Sequence, residues 1–128
     1  MIFGIGCDLV DIHRIAHAME NRRFLVRNFS QAENEYFSKR QFSPAVVAAN
    51  FAGKEAFAKA LGTGVSGFAL HEVEVLRNKA GKPYLRLTGD ALSLAESLGI
   101  ECLHISLTHT DASAGAFVVA EAQEKGEI

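Results

Sequence analysis

Apolar and polar positions recur along this chain at the two periods of regular secondary structure, and the pattern divides it into strand-like and helix-like stretches. Residues 2–10, Ile-Phe-Gly-Ile-Gly-Cys-Asp-Leu-Val, predict a strand. Isoleucine, phenylalanine and valine favour extended backbone, while Gly4 and Gly6 leave room for a second backbone to approach. Asp11 is placed to cap a short helix over 12–20, in which Ile12, Ile15, Ala16 and Met19 share one face. Ser30-Gln31-Ala32-Glu33 forms a capping box for a second helix, a cap worth about 1 kcal/mol. The third helix is the longest. Ser43 caps it, Pro44 occupies the first turn where a missing N–H does no harm, and Gly62 ends it in a left-handed cap. Its alanine-rich surface predicts packing on more than one side.

The second half is strand-rich. Leu70 to Leu76 alternates, Asn78-Lys79-Ala80-Gly81 turns, and Pro83 to Leu87 returns as a hairpin partner. A helix over about 90–98 ends at Gly99. Leu103 to His109 alternates again, and Thr110-Asp111-Ala112-Ser113 turns the chain into Ala114 to Ala120. A strand, then helices, then hairpins predict an α+β fold with a mostly antiparallel sheet and a long buried central helix. Repeats, low-complexity segments and linkers are lacking, so residues 1–128 form a single domain with a polar tail from about 121.

Composition narrows the class. The 128 residues are 48% apolar, with a net charge of −2. That balance excludes disorder and gives no global basic field for nucleic acid. Arg14, Arg22, Arg23 and Arg27 nevertheless bunch early, either as a solvated face or as a docking patch for an acidic partner. Cys7 and Cys102 lie in apolar strand patterns, which predicts buried reduced thiols, and their spacing matches no zinc motif. The N-terminus carries no signal-peptide pattern and no run is long enough to span a membrane, so the cytoplasm is the expected location.

Two carboxylates stand out. Asp8 closes the glycine-rich strand, and Glu55 sits inside the helix of small apolar residues. Burying an unpartnered carboxylate costs several kcal/mol. A hard divalent cation such as Mg²⁺ removes that cost, taking one or two carboxylates plus phosphate oxygens and water. If the two groups meet, the chain is a metal-assisted phosphate enzyme. The plainer alternatives are a turn-capping Asp8 and a Glu55–Lys59 surface pair worth only about 0.3–0.5 kcal/mol. Gly62-Thr63-Gly64-Val65-Ser66-Gly67 has the letters of a dinucleotide fingerprint but follows a helix and precedes a strand, the reverse of what that site needs. It is a helix stop and loop, or a turn whose N–H groups touch an anion. His109 ends an apolar strand face; His13, His17, His71 and His104 fit no pattern. Serine elbows and HExxH are absent, which leaves hydrolytic triads unsupported.

Gly4-Ile5-Gly6-Cys7-Asp8-Leu9-Val10-Asp11-Ile12-His13-Arg14-Ile15 and Phe51-Ala52-Gly53-Lys54-Glu55-Ala56-Phe57-Ala58-Lys59-Ala60-Leu61-Gly62-Thr63-Gly64 together closely resemble the bacterial holo-(acyl-carrier-protein) synthase family, the small branch of the 4′-phosphopantetheinyl transferases. Gly81-Lys82-Pro83-Tyr84 and Ile105-Ser106-Leu107-Thr108-His109-Thr110 fit in the same order. The resemblance implies a 4′-phosphopantetheinyl transferase-like α+β fold and a homotrimer with sites at subunit interfaces. It implies transfer of 4′-phosphopantetheine from coenzyme A to a serine of an apo acyl carrier protein, with Mg²⁺, in fatty acid biosynthesis. By position, Asp8 and Glu55 match the metal ligands and Lys59 a phosphate-contacting lysine. Gly62, Lys82, Pro83, His109 and Thr110 fall in segments that line the coenzyme A site. Arg14, Met19, Arg22, Arg23 and Arg27 fall on the carrier-docking helix and the segment after it. One position departs: where the family often carries an arginine before Phe-Ala, this chain has Asn50. Lys54, Lys39 and Arg40 are the candidates to compensate. The competing class is a module that binds coenzyme A or an acidic partner without transferring anything.

Overall fold

The structure, a computed structural model, describes residues 1–123. The first strand, β1 (Ile2–Asp11), passes directly into α1 (Ile12–Ala18), because Asp11 Oδ1 accepts the N–H groups of His13 and Arg14 at 2.8 and 3.3 Å. This helix stops two residues short of the expected 20. Asn21 then starts a helix the periodicity did not predict, α2 (Arg22–Asn28), its Oδ1 accepting the Arg23 N–H at 3.0 Å. The capping box of α3 (Gln31–Lys39) is complete, with Ser30 and Glu33 each bonding the other's backbone N–H. The long helix is α4 (Pro44–Leu61), closed by Gly62 at φ 79°. Ser43 sits at its N-cap but makes no capping hydrogen bond, so Pro44 alone fixes the first turn.

Next come β2 (Val73–Arg77), β3 (Pro83–Leu87), α5 (Gly89–Ser97), β4 (Ile100–His109) and β5 (Ser113–Ala122). The strand expected from Leu70 begins at Val73, because Leu70–Glu72 form one 3-10 turn. The Glu72 carboxylate holds that turn, accepting the Ala69 N–H and those of Asp90 and Ala91 at the start of α5. Of the polar tail expected from about 121, Glu121 and Ala122 belong to β5, and 124–128 lie outside the described residues.

Three strands form an antiparallel sheet in the order β1-β5-β4, and β2-β3 form a separate antiparallel hairpin. Register sets the two faces of the larger sheet. Asp8 pairs with Ala116, which pairs with Leu107; Cys7 pairs with Phe117, which pairs with Ser106. The inner face packs Ala116, Val118, Ala120, Leu103, Ile105 and Leu107 around α4. The outer face carries Ile5, Leu9 and Phe117, each more than 60% exposed. Cys7 and Cys102 are exposed rather than buried. Cys7 shares its face with Ile5 and Leu9, whose apolar character does not say that the face is covered, while Cys102 lies on the polar face of β4 with His104 and Ser106.

Glycine sets how closely α4 approaches β1. A Cβ on Gly4 would stand 2.0 Å from the carbonyl oxygen of Ala60, and one on Gly6 1.9 Å from that of Ala56. Both are backbone atoms, so no side chain fits without moving the helix. Because residues 4, 6 and 8 share a face, this contact delivers Asp8 to the flank of α4. Alanines at 48, 52, 56 and 60 let layers close on the helix from several sides, and all four are buried.

Behind α4 lies a buried ionic network. Lys54 and Glu33 are both fully buried, with Nζ and Oε1 2.6 Å apart. The Lys54 ammonium also donates to the carbonyls of Val73 and Leu70 at 2.6 and 2.9 Å. Glu33 accepts from the backbone N–H groups of Ser30 and Val75 and from Asn50 Nδ2. Burial pushes the Glu33 carboxyl up and the Lys54 ammonium down, against their mutual attraction. Lys54 therefore belongs to the core, not with Glu55 and Lys59 at the rim.

Candidate functional site

Asp8, Glu55 and Lys59 come together. Lys59 Nζ donates to Asp8 Oδ1 at 3.1 Å, across 51 residues of sequence. The hydrogen bond to Asp8, and then its charge, hold the Lys59 ammonium above its ordinary value. Burial, followed by the negative charge of Asp8, raises the Glu55 carboxyl, while Lys59 partly offsets them. Two carboxylates thus repel each other beside a single ammonium. The pair fits a hard divalent cation, whose preference is for one or two carboxylates with the remaining positions left to phosphate and water. Asp8 and Lys59 line a cavity of about 540 Å³ over β1, β5 and β4, together with Ser106, Thr108 and Phe117.

A second cavity, of about 390 Å³, lies between α4, the β2-β3 hairpin and β4. Lys82, Pro83 and His109 line it, as expected for one group. Ser106, Leu107 and Thr108 line both cavities, so they meet along β4. Gly62 and Thr110 line neither. Gly62 is the left-handed cap of α4, and the Thr110 hydroxyl accepts the N–H groups of Ala112 and Ser113 in the turn before β5.

Arg77 and Tyr36 are site residues the pattern did not single out. Arg77 lines the second cavity and donates through Nη2 to Asn50 Oδ1 at 2.9 Å. Tyr36 lies beneath two guanidinium groups, those of Arg77 and Arg40, 5.0 and 5.3 Å from its ring centroid. Of the three cations considered for the missing arginine at position 50, Lys54 is consumed by Glu33 in the core.

Arg14 on α1 and Arg22, Arg23 and Arg27 on α2 are all exposed, and among the described residues none is in an ion pair. Met19, the C-cap of α1, is half-buried against a cluster that includes Ile12, Ile15, Phe29 and Phe37. Although the chain spacing holds no zinc motif, the fold gathers Cys102, His104 and Glu121 on adjacent strands, with ligand atoms within 4.8 Å of one another. His104 already shares a hydrogen bond with Glu121. Among the described residues no helix is long and apolar enough to cross a membrane.

The geometry has close relatives. A holo-(acyl-carrier-protein) synthase of Alkaliphilus metalliredigens is 46% identical over 121 residues, covering 94% of this chain and 99% of the relative. The crystal structure of the holo-(acyl-carrier-protein) synthase from Neisseria meningitidis superimposes with a TM-score of 0.88 at 31% identity, covering 94% of this chain and 99% of that one. The Helicobacter pylori synthase in complex with coenzyme A superimposes with a TM-score of 0.80 at 27% identity, covering 91% and 99%. Residues 4–118, which hold both cavities and the Asp8–Glu55–Lys59 group, match the model of one family, and the chain belongs to the 4′-phosphopantetheinyl transferase superfamily.

Proposed function

We infer that this chain transfers the 4′-phosphopantetheine group of coenzyme A to a serine of an apo acyl carrier protein, a reading supported by its superfamily and by relatives named as holo-(acyl-carrier-protein) synthases. The observation that carries the reading is the Asp8–Lys59 hydrogen bond lining an open cavity, with Glu55 one turn from Lys59 on α4 and within reach of the charge on Asp8. The carrier's serine oxygen attacks the phosphorus on the pantetheine side of the diphosphate. A new phosphorus–oxygen bond forms as the bond to the nucleotide phosphate breaks, adenosine 3′,5′-bisphosphate leaves, and the hydroxyl proton passes to a base. Asp8 and Glu55 would hold Mg²⁺, which when bound supplies positive charge against the diphosphate. Lys59, exposed at the cavity edge, brings a mobile point charge to the same phosphates. Its bond to Asp8 keeps it at the site before substrate arrives. The nucleophile comes from the carrier, so the chain needs no activated serine or cysteine of its own.

Incubating the protein with apo carrier, coenzyme A and Mg²⁺ should raise the carrier's mass by one phosphopantetheinyl group. A module that only bound coenzyme A would leave that mass unchanged. The same assay tests the carrier surface. Arg14 and Arg22 present positive charge without an ion-pair partner among the described residues, suited to an acidic partner, with Arg23 and Arg27 one turn apart on α2. Arg14→Glu and Arg22→Glu should each raise KM for the carrier and flatten its salt dependence, leaving KM for coenzyme A within about twofold. Indifference of the carrier KM to both reversals would place docking elsewhere.

The assembly is a homotrimer. Its support is the outer sheet face, where Ile5, Leu9 and Phe117 are 64%, 74% and 61% exposed on adjacent strands. Apolar surface of this kind is normally covered by another chain. Phe117→Arg is expected to convert the trimer to monomer in sedimentation equilibrium, and a trimer retained by that variant would disprove the assigned face. Holo carrier for fatty acid biosynthesis in the cytoplasm is the product such an enzyme supplies.

A further inference from the structure

Arg77 closes β2 as a half-buried cation with no carboxylate in ion-pair reach among the described residues. Burial disfavours its charged form; Tyr36 and Glu33 relieve this in part, while Arg40 adds to it. Glu33 is already committed to Lys54. The guanidinium is nonetheless held firmly. Asn50 is fully buried, and both its amide donor contacts are taken, by Glu33 Oε2 and the Val75 carbonyl, each at 3.0 Å. Those acceptors fix the amide's orientation, so the carbonyl oxygen can only face Arg77. Arg77 Nη2 meets it at 2.9 Å, and the Tyr36 ring packs against the same guanidinium. Nη1 also lies 3.4 Å from the Val75 carbonyl, so each terminal nitrogen commits one N–H to the protein. The other three N–H groups of the guanidinium have no protein acceptor among the described residues, beside the cavity that Lys82 and His109 also line. An uncompensated cation in such company is built for an anion.

The identity of that anion rests on the function proposed above. Coenzyme A carries phosphate at two places, the diphosphate and the 3′-phosphomonoester of its ribose. The diphosphate is assigned to the cavity of Asp8 and Lys59. We propose that Arg77, positioned by Asn50 and Tyr36, binds the 3′-phosphate of coenzyme A and sets the preference for coenzyme A over its 3′-dephospho form. A flat guanidinium matches a phosphate bidentately, and Ala45, Val46 and Ala49 give the cavity an apolar wall beside it. Asn50 touches no ligand in this scheme. It acts through Arg77, which makes it a positioning residue.

The test is calorimetric titration of the full chain with coenzyme A and with 3′-dephospho-coenzyme A. The wild type should favour coenzyme A by about tenfold or more, equivalent to 1.4 kcal/mol. Arg77→Gln should reduce that preference to within about twofold in protein that remains folded, and Arg77→Lys should restore part of it. Asn50→Ala should also weaken the preference, whereas a merely structural role would weaken both ligands alike. If Asn50→Ala does not fold, the two Arg77 variants decide the matter. An Arg77→Gln protein that keeps the full preference overturns the proposal while leaving the transfer reading intact. A wild type that binds neither ligand overturns both.

Discussion

Glu55→Gln is expected to lower phosphopantetheine transfer by about 10³-fold while the protein stays folded, and Asp8→Ala to do the same. Glu55 lies half-buried on α4 next to buried alanines, and its neighbour across the gap is a second carboxylate. Glutamine keeps the shape and removes the charge, so packing is preserved and only the electrostatic function is lost. Stability should then move opposite to activity. The folded-state pKa of Glu55 is raised, by burial first and Asp8 second. A group shifted in that direction contributes stability that is present below its unfolded pKa and is lost as pH rises through the folded value. In metal-free buffer the wild type should therefore lose some stability relative to Glu55→Gln as pH rises through that acidic window. Added Mg²⁺ should stabilise the wild type and leave the variant unmoved. Transfer at the wild-type rate by folded Glu55→Gln would remove this carboxylate from the chemistry.

Removing either half of the Glu33–Lys54 pair should cost about 3–5 kcal/mol, the penalty for stranding one buried charge. Glu33→Ala and Lys54→Met, followed by urea denaturation, measure it. A lone buried ion pair exchanged for apolar residues is often neutral. This pair should behave differently, because other groups depend on it. Glu33 satisfies the N–H groups of Ser30 and Val75 and the Asn50 amide, and Lys54 satisfies the carbonyls of Leu70 and Val73. The double variant Glu33→Leu with Lys54→Met leaves all five without these partners. It should remain destabilised by several kcal/mol, since buried unpaired polar groups each cost about 1–3 kcal/mol. A double variant as stable as the wild type would show that the network is dispensable. The loss should also reach the second cavity, since Glu33 orients the Asn50 amide on which Arg77 rests.

Local chemistry was legible along the chain. Asp11, Ser30 and Gly62 end or begin helices by hydrogen bonds and dihedral angles set within a few residues. Period-2 alternation located β4, and the glycines of β1 announced the close approach of another backbone, which is that of α4. The α2 helix was not legible. Seven residues cannot sustain a helix alone, and this one is held by Phe24 against Phe29 and Phe51. Cys7 misled because it shares its face of β1 with the apolar Ile5 and Leu9, and alternation cannot tell a covered face from an open one; Cys102 alternates with His104, Ser106 and Thr108 on the open face of β4.

What the chain alone determined was the kind and order of every helix and strand except α2, and which two carboxylates to look at, since each depends on residue type and near neighbours. The tertiary structure decided which charges are spent and which are free. Lys54 and Lys59 are both lysines of one helix, five residues apart. One is fully buried against Glu33, and the other reaches out to Asp8. Arg77 becomes a fixed cation only because Asn50 arrives from 27 residues away. The field at a charged group comes from what surrounds it in space, and those surroundings are assembled from distant parts of the chain.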